Sequence, residues 1–241
     1  MLYPDWPLQG VVGALSTTRQ GGVSEPPFDG FNLAYHVGDA AQAVAQNRAK
    51  LEAEVSLPIA WLEQVHGNTV IHADDEYDIA SLPQADAIFT RSSKFALAIM
   101  TADCLPVLIA SEEGHEIAAV HCGWRPLAAG VLAKTLTHFQ TPASQLHVWL
   151  GPAIGPQAFE VGKEVVEQFV ALSQIHSHAF VRQENGQYLA DIYLLARQQL
   201  SELGVTAVSE QAHCTVAHPQ YYFSYRRDRR CGRMASLIWR K

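Results

Sequence analysis

Residues 95–125 of the chain read FALAIMTADCLPVLIASEEGHEIAAVHCGWR and contain three predicted β-strands. Residues 95–100 and 105–110 are apolar runs of the length of buried strands, and a polar tetrapeptide, TADC, separates them. Residues 116–121 form a third short strand, which ends on a histidine. Polar side chains therefore come directly after buried strands at two places, which is where a scaffold presents a functional site.

Outside this stretch the pattern predicts a mixture of helices and strands. Helices are predicted at 39–55, 126–139, 162–172 and 191–203, the first with Asp39 as its N-cap. Further strands are predicted at 59–65, 69–72, 146–150, 205–208, 221–225 and 234–239. Because the two types do not alternate regularly, the predicted fold class is α/β, a mixed α+β sandwich, rather than a barrel or a Rossmann fold.

The composition is typical of a soluble globular protein. The chain has 241 residues, of which 48% are hydrophobic and 17% charged, and it lacks internal repeats and long linkers. We expect one domain over residues 1–241. The sequence contains neither a run of roughly 18 apolar residues nor the features of a signal peptide, so we expect a cytoplasmic protein without a membrane partner.

The charge is negative overall but unevenly distributed. A net charge of −7 argues against nucleic-acid binding by the whole surface. Seven of the 17 basic residues nevertheless lie within residues 226–241. We interpret this basic segment as the wall of a phosphate-binding pocket.

Three polar segments at predicted strand ends each contain a good ligand for a borderline metal ion. These ligands are His66, Cys104 and His121. Two imidazoles and one thiolate leave a fourth tetrahedral position open, as expected for catalytic rather than structural zinc. The alternative is that the cysteine is a small core residue and the histidines are ordinary polar residues.

Seven motifs along the chain together resemble one known family. In order they are TRQGGVS (18–24), FNL with HVGD (31–33 and 36–39), NR (47–48), QVHG (64–67), TADCLPV (101–107), HCGWR (121–125) and FSYRRD (223–228). The sequence is similar in these motifs to the YfiH-like, laccase-domain family, also called the polyphenol oxidase or purine nucleoside phosphorylase family. The resemblance extends from about residue 13 to residue 239.

The resemblance implies a fold, an activity and a metal site. The implied fold is similar to the catalytic domain of cytotoxic necrotizing factors, and the implied zinc ligands are His66, Cys104 and His121. The implied reactions are phosphorolysis of adenosine, inosine and methylthioadenosine, together with adenosine deamination. Cys122, Pro126 and the segment 229–231 depart from the family pattern, and we expect Cys122 to face away from His121 and to pack.

The two reactions require different groups. For deamination, a metal ion would activate water and a carboxylate would carry the proton; Asp103 and Glu63 are the candidates, although Asp103 is alternatively a residue that orients a ligand. For phosphorolysis, arginines would hold the phosphate. The candidate substrate and phosphate ligands are Asn32, Arg48, Arg125 and Arg226, with Arg19 and Arg227 as further arginines, and Asn32 alternatively holds a loop.

Other functions use the same residues. For a related branch of the family, the resemblance implies an amidase that removes mis-incorporated serine from a peptidoglycan precursor. An amidase would use Cys104 as nucleophile and His121 as base. A copper-dependent polyphenol oxidase is a third reading, but its copper cluster needs many closely spaced histidines, and only residues 176–178 form a His-x-His pair. Copper bound at a zinc site would account for oxidase activity, because Cu²⁺ binds more tightly than Zn²⁺. A metal-stabilised binding module is the non-enzymatic alternative.

Overall fold

The computed structural model of the chain describes residues 1–74 and 76–241. Its helices are α1 (Ala41–Val55), α2 (Trp124–Ala128), α3 (Val131–Leu136), α4 (Lys163–Leu172), α5 (Ile192–Glu202) and α6 (Tyr225–Asp228). Its strands are β1 (Val12–Ser16), β2 (Ile59–Ala60), β3 (Val70–His72), β4 (Ala87–Thr90), β5 (Ala96–Thr101), β6 (Leu105–Ser111), β7 (Ile117–Cys122), β8 (Leu146–Leu150), β9 (Glu160–Val161), β10 (Phe180–Arg182), β11 (Tyr188–Ala190), β12 (Ala207–Glu210) and β13 (Met234–Arg240).

The strands of the described residues form two large sheets and one small sheet. The six-stranded sheet has the order β12-β8-β6-β7-β4-β3, and the four-stranded sheet has the order β1-β13-β5-β2. Both are mixed, because β12–β8, β3–β4 and β2–β5 are parallel pairs and the others are antiparallel. The small sheet has the order β10-β11-β9. This architecture confirms the predicted mixed α/β fold class.

The two large sheets pack face to face and are covered by helices. Ile99 of the four-stranded sheet and Leu108 of the six-stranded sheet share one core cluster. Helix α1 covers the outer face of the smaller of these sheets through Leu51, and helices α2 to α5 cover the other outer face. The central strands are buried on both faces, which explains why the sequence of β5, β6 and β7 is almost continuously apolar.

Two predicted elements are wrong, and each has a local cause. The helix predicted at 126–139 is two helices, because Gly130 adopts a left-handed conformation with φ of 76° between α2 and α3. The strand predicted at 221–225 is a turn that leads into α6, because the Ser224 side chain accepts a hydrogen bond from the Arg227 N–H and caps the helix.

The remaining differences concern element ends and unpredicted strands. Helix α1 begins at Ala41 with Ala40 as its N-cap, while Asp39 instead accepts hydrogen bonds from the Ala40 N–H and from Asn32. The strand predicted at 59–65 extends only over β2. Strands β1, β4, β9, β10 and β11 were not predicted. Within residues 1–74 and 76–241, none of the helices has the length and apolar character needed to cross a membrane.

Candidate active site

The fold brings His66, Cys104 and His121 together. Cys104 directly precedes β6 and His121 lies near the end of β7, and these antiparallel strands pair so that Leu105 is opposite Cys122. His66 lies in the turn that follows β2, with a φ of 58°. One potential ligand atom from each of the three side chains lies within 4.8 Å of the other two. Over residues 1–74 and 76–241, this is the one such group of three or more His, Cys, Asp or Glu side chains.

A buried carboxylate, Asp86, bonds to the side chain of His121 and to the backbone of His66. Its Oδ1 accepts hydrogen bonds from His121 Nδ1 at 2.7 Å and from the His66 N–H at 3.0 Å, and its Oδ2 accepts one from the Gly67 N–H at 2.6 Å. When the ring is neutral and Nδ1 donates to Asp86, the Nε2 atom of His121 carries the lone pair that a metal ion would use. Asp86 therefore orients the imidazole as the outer carboxylates of metal sites do.

The electrostatics of the cluster favour a thiolate. Burial by itself raises the pKa of Cys104, but the charge of His121 and hydrogen bonds from His121 and His66 outweigh burial and lower the pKa to about 6. Burial lowers the pKa of His121, but Cys104 and Asp86 outweigh it and raise the pKa to about 9. Cys122, in contrast, lies in the hydrophobic core, where burial raises its thiol pKa. Cys104 thus has the thiolate character that a metal ion or a carbonyl substrate requires.

The backbone at Gly123 makes room for the cluster. A Cβ atom at this position would lie 2.9 Å from the Sγ of Cys104 and 3.6 Å from Cδ2 of His66. The first distance is shorter than real Cβ contacts, so a side chain here would displace the sulfur. The glycine of the HCGWR motif therefore allows the sulfur to lie against the backbone.

Two cavities adjoin the cluster, and both are lined by His66, Ala102, Cys104 and Tyr225. The first, which we call the Gln64 cavity, has a volume of about 330 Å³ and is also lined by His36, Gln64, Met100, Thr101, His121 and Arg233. The second, which we call the arginine cavity, has a volume of about 280 Å³, and Arg125, Arg226, Arg229, Trp124, Phe159 and Asp103 are among its lining residues. The three candidate ligands thus lie between two spaces of different chemical character.

Asp103 is buried and anchors the segment that carries Arg226. Its Oδ1 accepts a hydrogen bond from Thr215 Oγ1 at 2.6 Å, and its Oδ2 accepts hydrogen bonds from Ser224 Oγ at 3.0 Å and the Arg226 N–H at 2.6 Å. The carboxylate that contacts a candidate ligand is therefore Asp86, which sequence reasoning missed. Glu63, the other predicted proton carrier, is exposed and bonds to Gln84.

The four predicted substrate ligands lie in different places. Arg125 and Arg226 line the arginine cavity. Arg48 lines neither cavity, although its Nη2 lies 3.9 Å from the sulfur of Met100 in the wall of the Gln64 cavity. Its guanidinium lies 3.9 Å from the Trp61 ring, its Nε donates to the Leu33 carbonyl, and burial lowers its pKa to about 10. Asn32 is fully buried, where its side chain donates to Asp39 and accepts from the Arg233 N–H, so it holds a loop.

Three further residues from the sequence analysis line neither cavity: Arg19, Arg227 and His176. Arg19 forms an ion pair with Asp29, and Arg227 forms one with Asp228. His176 of the His-x-His pair is buried after α4 and bonds to Gln198.

Comparison with known proteins places this site in a family. Residues 13–241 match the family model described as multi-copper polyphenol oxidoreductase laccase. The chain is 48% identical to the purine nucleoside phosphorylase YfiH of Shigella flexneri, over 99% of this chain and 98% of the relative. It is also 48% identical to a purine nucleoside phosphorylase of Pseudomonas aeruginosa, over 99% and 97% of the two chains.

A solved structure agrees with this placement. The crystal structure of protein NMB0706 from Neisseria meningitidis matches with a TM-score of 0.95 and 44% identity, over 100% of this chain and 98% of that chain. The chain belongs to the YfiH-like, laccase-domain family, whose curated relatives above are named as enzymes. The resemblance inferred from the seven motifs is confirmed.

Proposed function

We propose that the protein is a zinc-dependent purine nucleoside phosphorylase of the cytoplasm, built as one domain over residues 1–241. Its substrates are adenosine, inosine and methylthioadenosine, its products are the free base and the ribose 1-phosphate, and it also deaminates adenosine. The observation that carries the proposal is the His66, Cys104 and His121 cluster between two cavities, one of which is lined by three arginines. The names of the relatives support it.

The donor set fits zinc. His66, Cys104 and His121 supply two nitrogens and a thiolate, and Asp86 orients one of the imidazoles. A bound zinc ion supplies a Lewis acid that lowers the pKa of coordinated water toward ~7. The same donors would also accept copper, and copper bound there would account for any oxidase activity.

Phosphorolysis exchanges one bond at the ribose C1′. An oxygen of hydrogen phosphate forms a bond to C1′ while the bond from C1′ to purine N9 breaks, and its electron pair stays on the base. The proton of hydrogen phosphate moves to the base, so neutral adenosine gives neutral adenine and dianionic ribose 1-phosphate. In this reaction Arg125 and Arg226 bind the phosphate, and Asp103 positions Arg226 through its backbone N–H.

The test is chromatography of the products formed from adenosine by zinc-loaded protein, with and without inorganic phosphate. Adenine and ribose 1-phosphate that form only with phosphate establish the phosphorylase, and inosine formed without phosphate establishes the deaminase. The Cys104→Ala variant should lose both activities. If zinc-loaded protein forms none of these products, the proposal is wrong.

A second candidate function, the amidase, is favoured by one specific observation. Asp86, His121 and Cys104 form a chain of orienting carboxylate, imidazole and low-pKa thiol, which is the arrangement of a cysteine nucleophile with its base. The amidase would act on a peptidoglycan precursor that carries a mis-incorporated serine. An amidase of this kind keeps its activity after zinc is removed by chelation, whereas the phosphorylase loses it.

A further inference from the structure

The arginine cavity contains guanidinium groups that the protein itself does not neutralise. Arg125, Arg226 and Arg229 line it, and no carboxylate in residues 1–74 and 76–241 lies within 4.0 Å of any of their side-chain nitrogens. The acidic residue in the cavity wall, Asp103, already accepts three hydrogen bonds from Thr215, Ser224 and the backbone of Arg226. The wall thus contains three guanidinium groups against one carboxyl group, an excess of basic side chains in a chain whose net charge is −7.

The hydrogen-bond donors of these arginines are also largely unused. Arg226 donates one side-chain hydrogen bond, from Nη1 to the Ala158 carbonyl at 3.3 Å. The side chains of Arg125 and Arg229 make no hydrogen bond to the described part of the chain; each guanidinium contacts an aromatic ring, Trp124 at 4.4 Å and Tyr225 at 5.6 Å. Most N–H donors of these three guanidinium groups are thus available to a ligand in the arginine cavity.

The Gln64 cavity differs in this respect. Its arginine, Arg233, donates through Nη1 to the carbonyl oxygens of Cys231 and Gly232 at 2.9 and 3.0 Å. The side chain of Gln64 is paired with the backbone of Met100 by two hydrogen bonds of 2.8 Å. The side chain of Gln64 and one guanidinium nitrogen of Arg233 are therefore already bonded to the protein, and one arginine rather than three lines this cavity. Its wall attracts an anion less than the arginine cavity does and suits an uncharged ligand.

Apolar side chains in the walls of the arginine cavity strengthen its attraction for an anion. Ile154, Phe159 and Ile192 line it together with the arginines. Apolar walls lower the local dielectric constant, so the attraction between a guanidinium and an anion is stronger there than in open water. Phosphate oxygens match the forked donors of arginine in geometry as well as in charge.

We propose that Arg125, Arg226 and Arg229 together bind a phosphate dianion and that the uncharged nucleoside lies in the Gln64 cavity, on the other side of His66 and Cys104. This assignment rests on the proposed phosphorolysis, and it adds Arg229, whose role the sequence left open. The substrates then meet at the candidate metal ligands, where both cavities open.

The test measures KM for phosphate and KM for adenosine separately in zinc-loaded, full-length protein. Arg226→Gln and Arg229→Gln should each raise KM for inorganic phosphate about tenfold or more, because each removes charge-assisted hydrogen bonds to the anion, and KM for adenosine should change less than about twofold. His36→Ala, an exposed residue of the Gln64 cavity, should raise KM for adenosine and leave KM for phosphate unchanged. The matched control is Arg230→Gln on the same turn, whose guanidinium lies 5.3 Å from the Phe28 ring and lines neither cavity; both constants should stay at the wild-type values.

Calorimetric titration with inorganic phosphate tests the site without turnover. Wild-type and Arg230→Gln protein should bind phosphate, and Arg226→Gln and Arg229→Gln should bind it at least tenfold more weakly. If this pattern appears in a protein without phosphorolysis, the site assignment stands and the proposed function fails. If phosphorolysis occurs but both arginine variants keep the wild-type KM for phosphate, the site assignment is overturned and the proposed function stands.

The source of the phosphate group is tested in the same titration with adenosine 5′-monophosphate. Arginine-dependent binding of inorganic phosphate supports a free co-substrate in the arginine cavity. Arginine-dependent binding of the nucleotide without binding of inorganic phosphate would overturn that assignment, because the cavity would then hold the phosphate group of a nucleotide.

Discussion

The Oδ1 atom of Asp86 lies 2.7 Å from Nδ1 of His121 and also accepts the backbone N–H of His66 at 3.0 Å. One fully buried carboxylate therefore orients the ring of His121 and holds the backbone that carries His66. Its contacts with the backbone of residues 65–67 hold the turn after β2 against the end of β7. The geometry of the cluster thus depends on a residue outside the seven motifs.

Asp86→Asn should weaken zinc binding about 10- to 100-fold, as the loss of an outer carboxylate does in other metal sites. The amide cannot provide the negative charge that stabilises the His121 ring in its ligating orientation. Zinc affinity is measured by competition with a chromophoric chelator. The control is Asp191→Asn at the N-cap of α5, where asparagine caps equally well and zinc affinity should not change. Unchanged zinc affinity in Asp86→Asn would contradict the role of this carboxylate.

Gly123→Ala should damage the cluster without unfolding the protein. The added methyl group would lie 2.9 Å from the sulfur of Cys104, so the sulfur must move. We expect phosphorolysis to fall about 100-fold, since a shift of ~1 Å at a catalytic group has an effect of that size. Gly10→Ala, where the methyl group meets nothing within 4 Å, is the control. Activity at the wild-type level in Gly123→Ala would show that the sulfur position is unimportant.

Cys104 in metal-free protein should react with iodoacetamide at half its maximal rate near pH 6. Its thiol pKa is lowered to about 6, so the reactive thiolate predominates above that pH and disappears below it. Cys122 should stay unmodified, because it is buried and its pKa is raised. Mass spectrometry of peptides after timed reactions over a pH range gives both rates. A midpoint near pH 8.5, the value of a free thiol, would contradict the electrostatics of the cluster.

Asp103→Asn should lower the free energy of unfolding by about 2–3 kcal/mol, because a buried charged acceptor of three hydrogen bonds is lost. Urea denaturation measures this change, and Asp78→Asn, an exposed aspartate, is the control. The variant should also raise KM for phosphate, since Asp103 holds the backbone of Arg226. A variant with wild-type stability but a greatly reduced kcat would instead support Asp103 as the proton carrier.

The sequence predicted the three candidate metal ligands but not Asp86, the carboxylate that orients His121 and holds the backbone of His66. His66, Cys104 and His121 stand in distinctive motifs at strand ends, so they were recognisable before the fold was known. Asp86 is an isolated carboxylate that lies 20 residues from His66 and 35 from His121 along the chain. Only the pairing of β4 with β7, which was not predicted, brings Asp86 beside His121.

Local patterns also predicted most of the helices and strands. They failed where contacts between distant parts of the chain determine the local structure. The aromatic run at 221–225 has the composition of a strand, yet Ser224 caps α6 and donates its hydroxyl to Asp103. The three arginines of the arginine cavity come from two distant segments of the chain. The sequence indicated Arg125 and Arg226 as candidate phosphate ligands, but not that Arg229 would line the same cavity.

The most direct test of the central claim is a metal titration of phosphorolysis. Metal-free protein is reconstituted with increasing amounts of zinc, and adenine release from adenosine is measured in the presence of inorganic phosphate. We predict that metal-free protein is inactive and that activity reaches its maximum at one zinc per chain, with Cys104→Ala inactive at every zinc concentration. Full activity of the metal-free protein would contradict the claim that His66, Cys104 and His121 hold a metal ion required for the reaction.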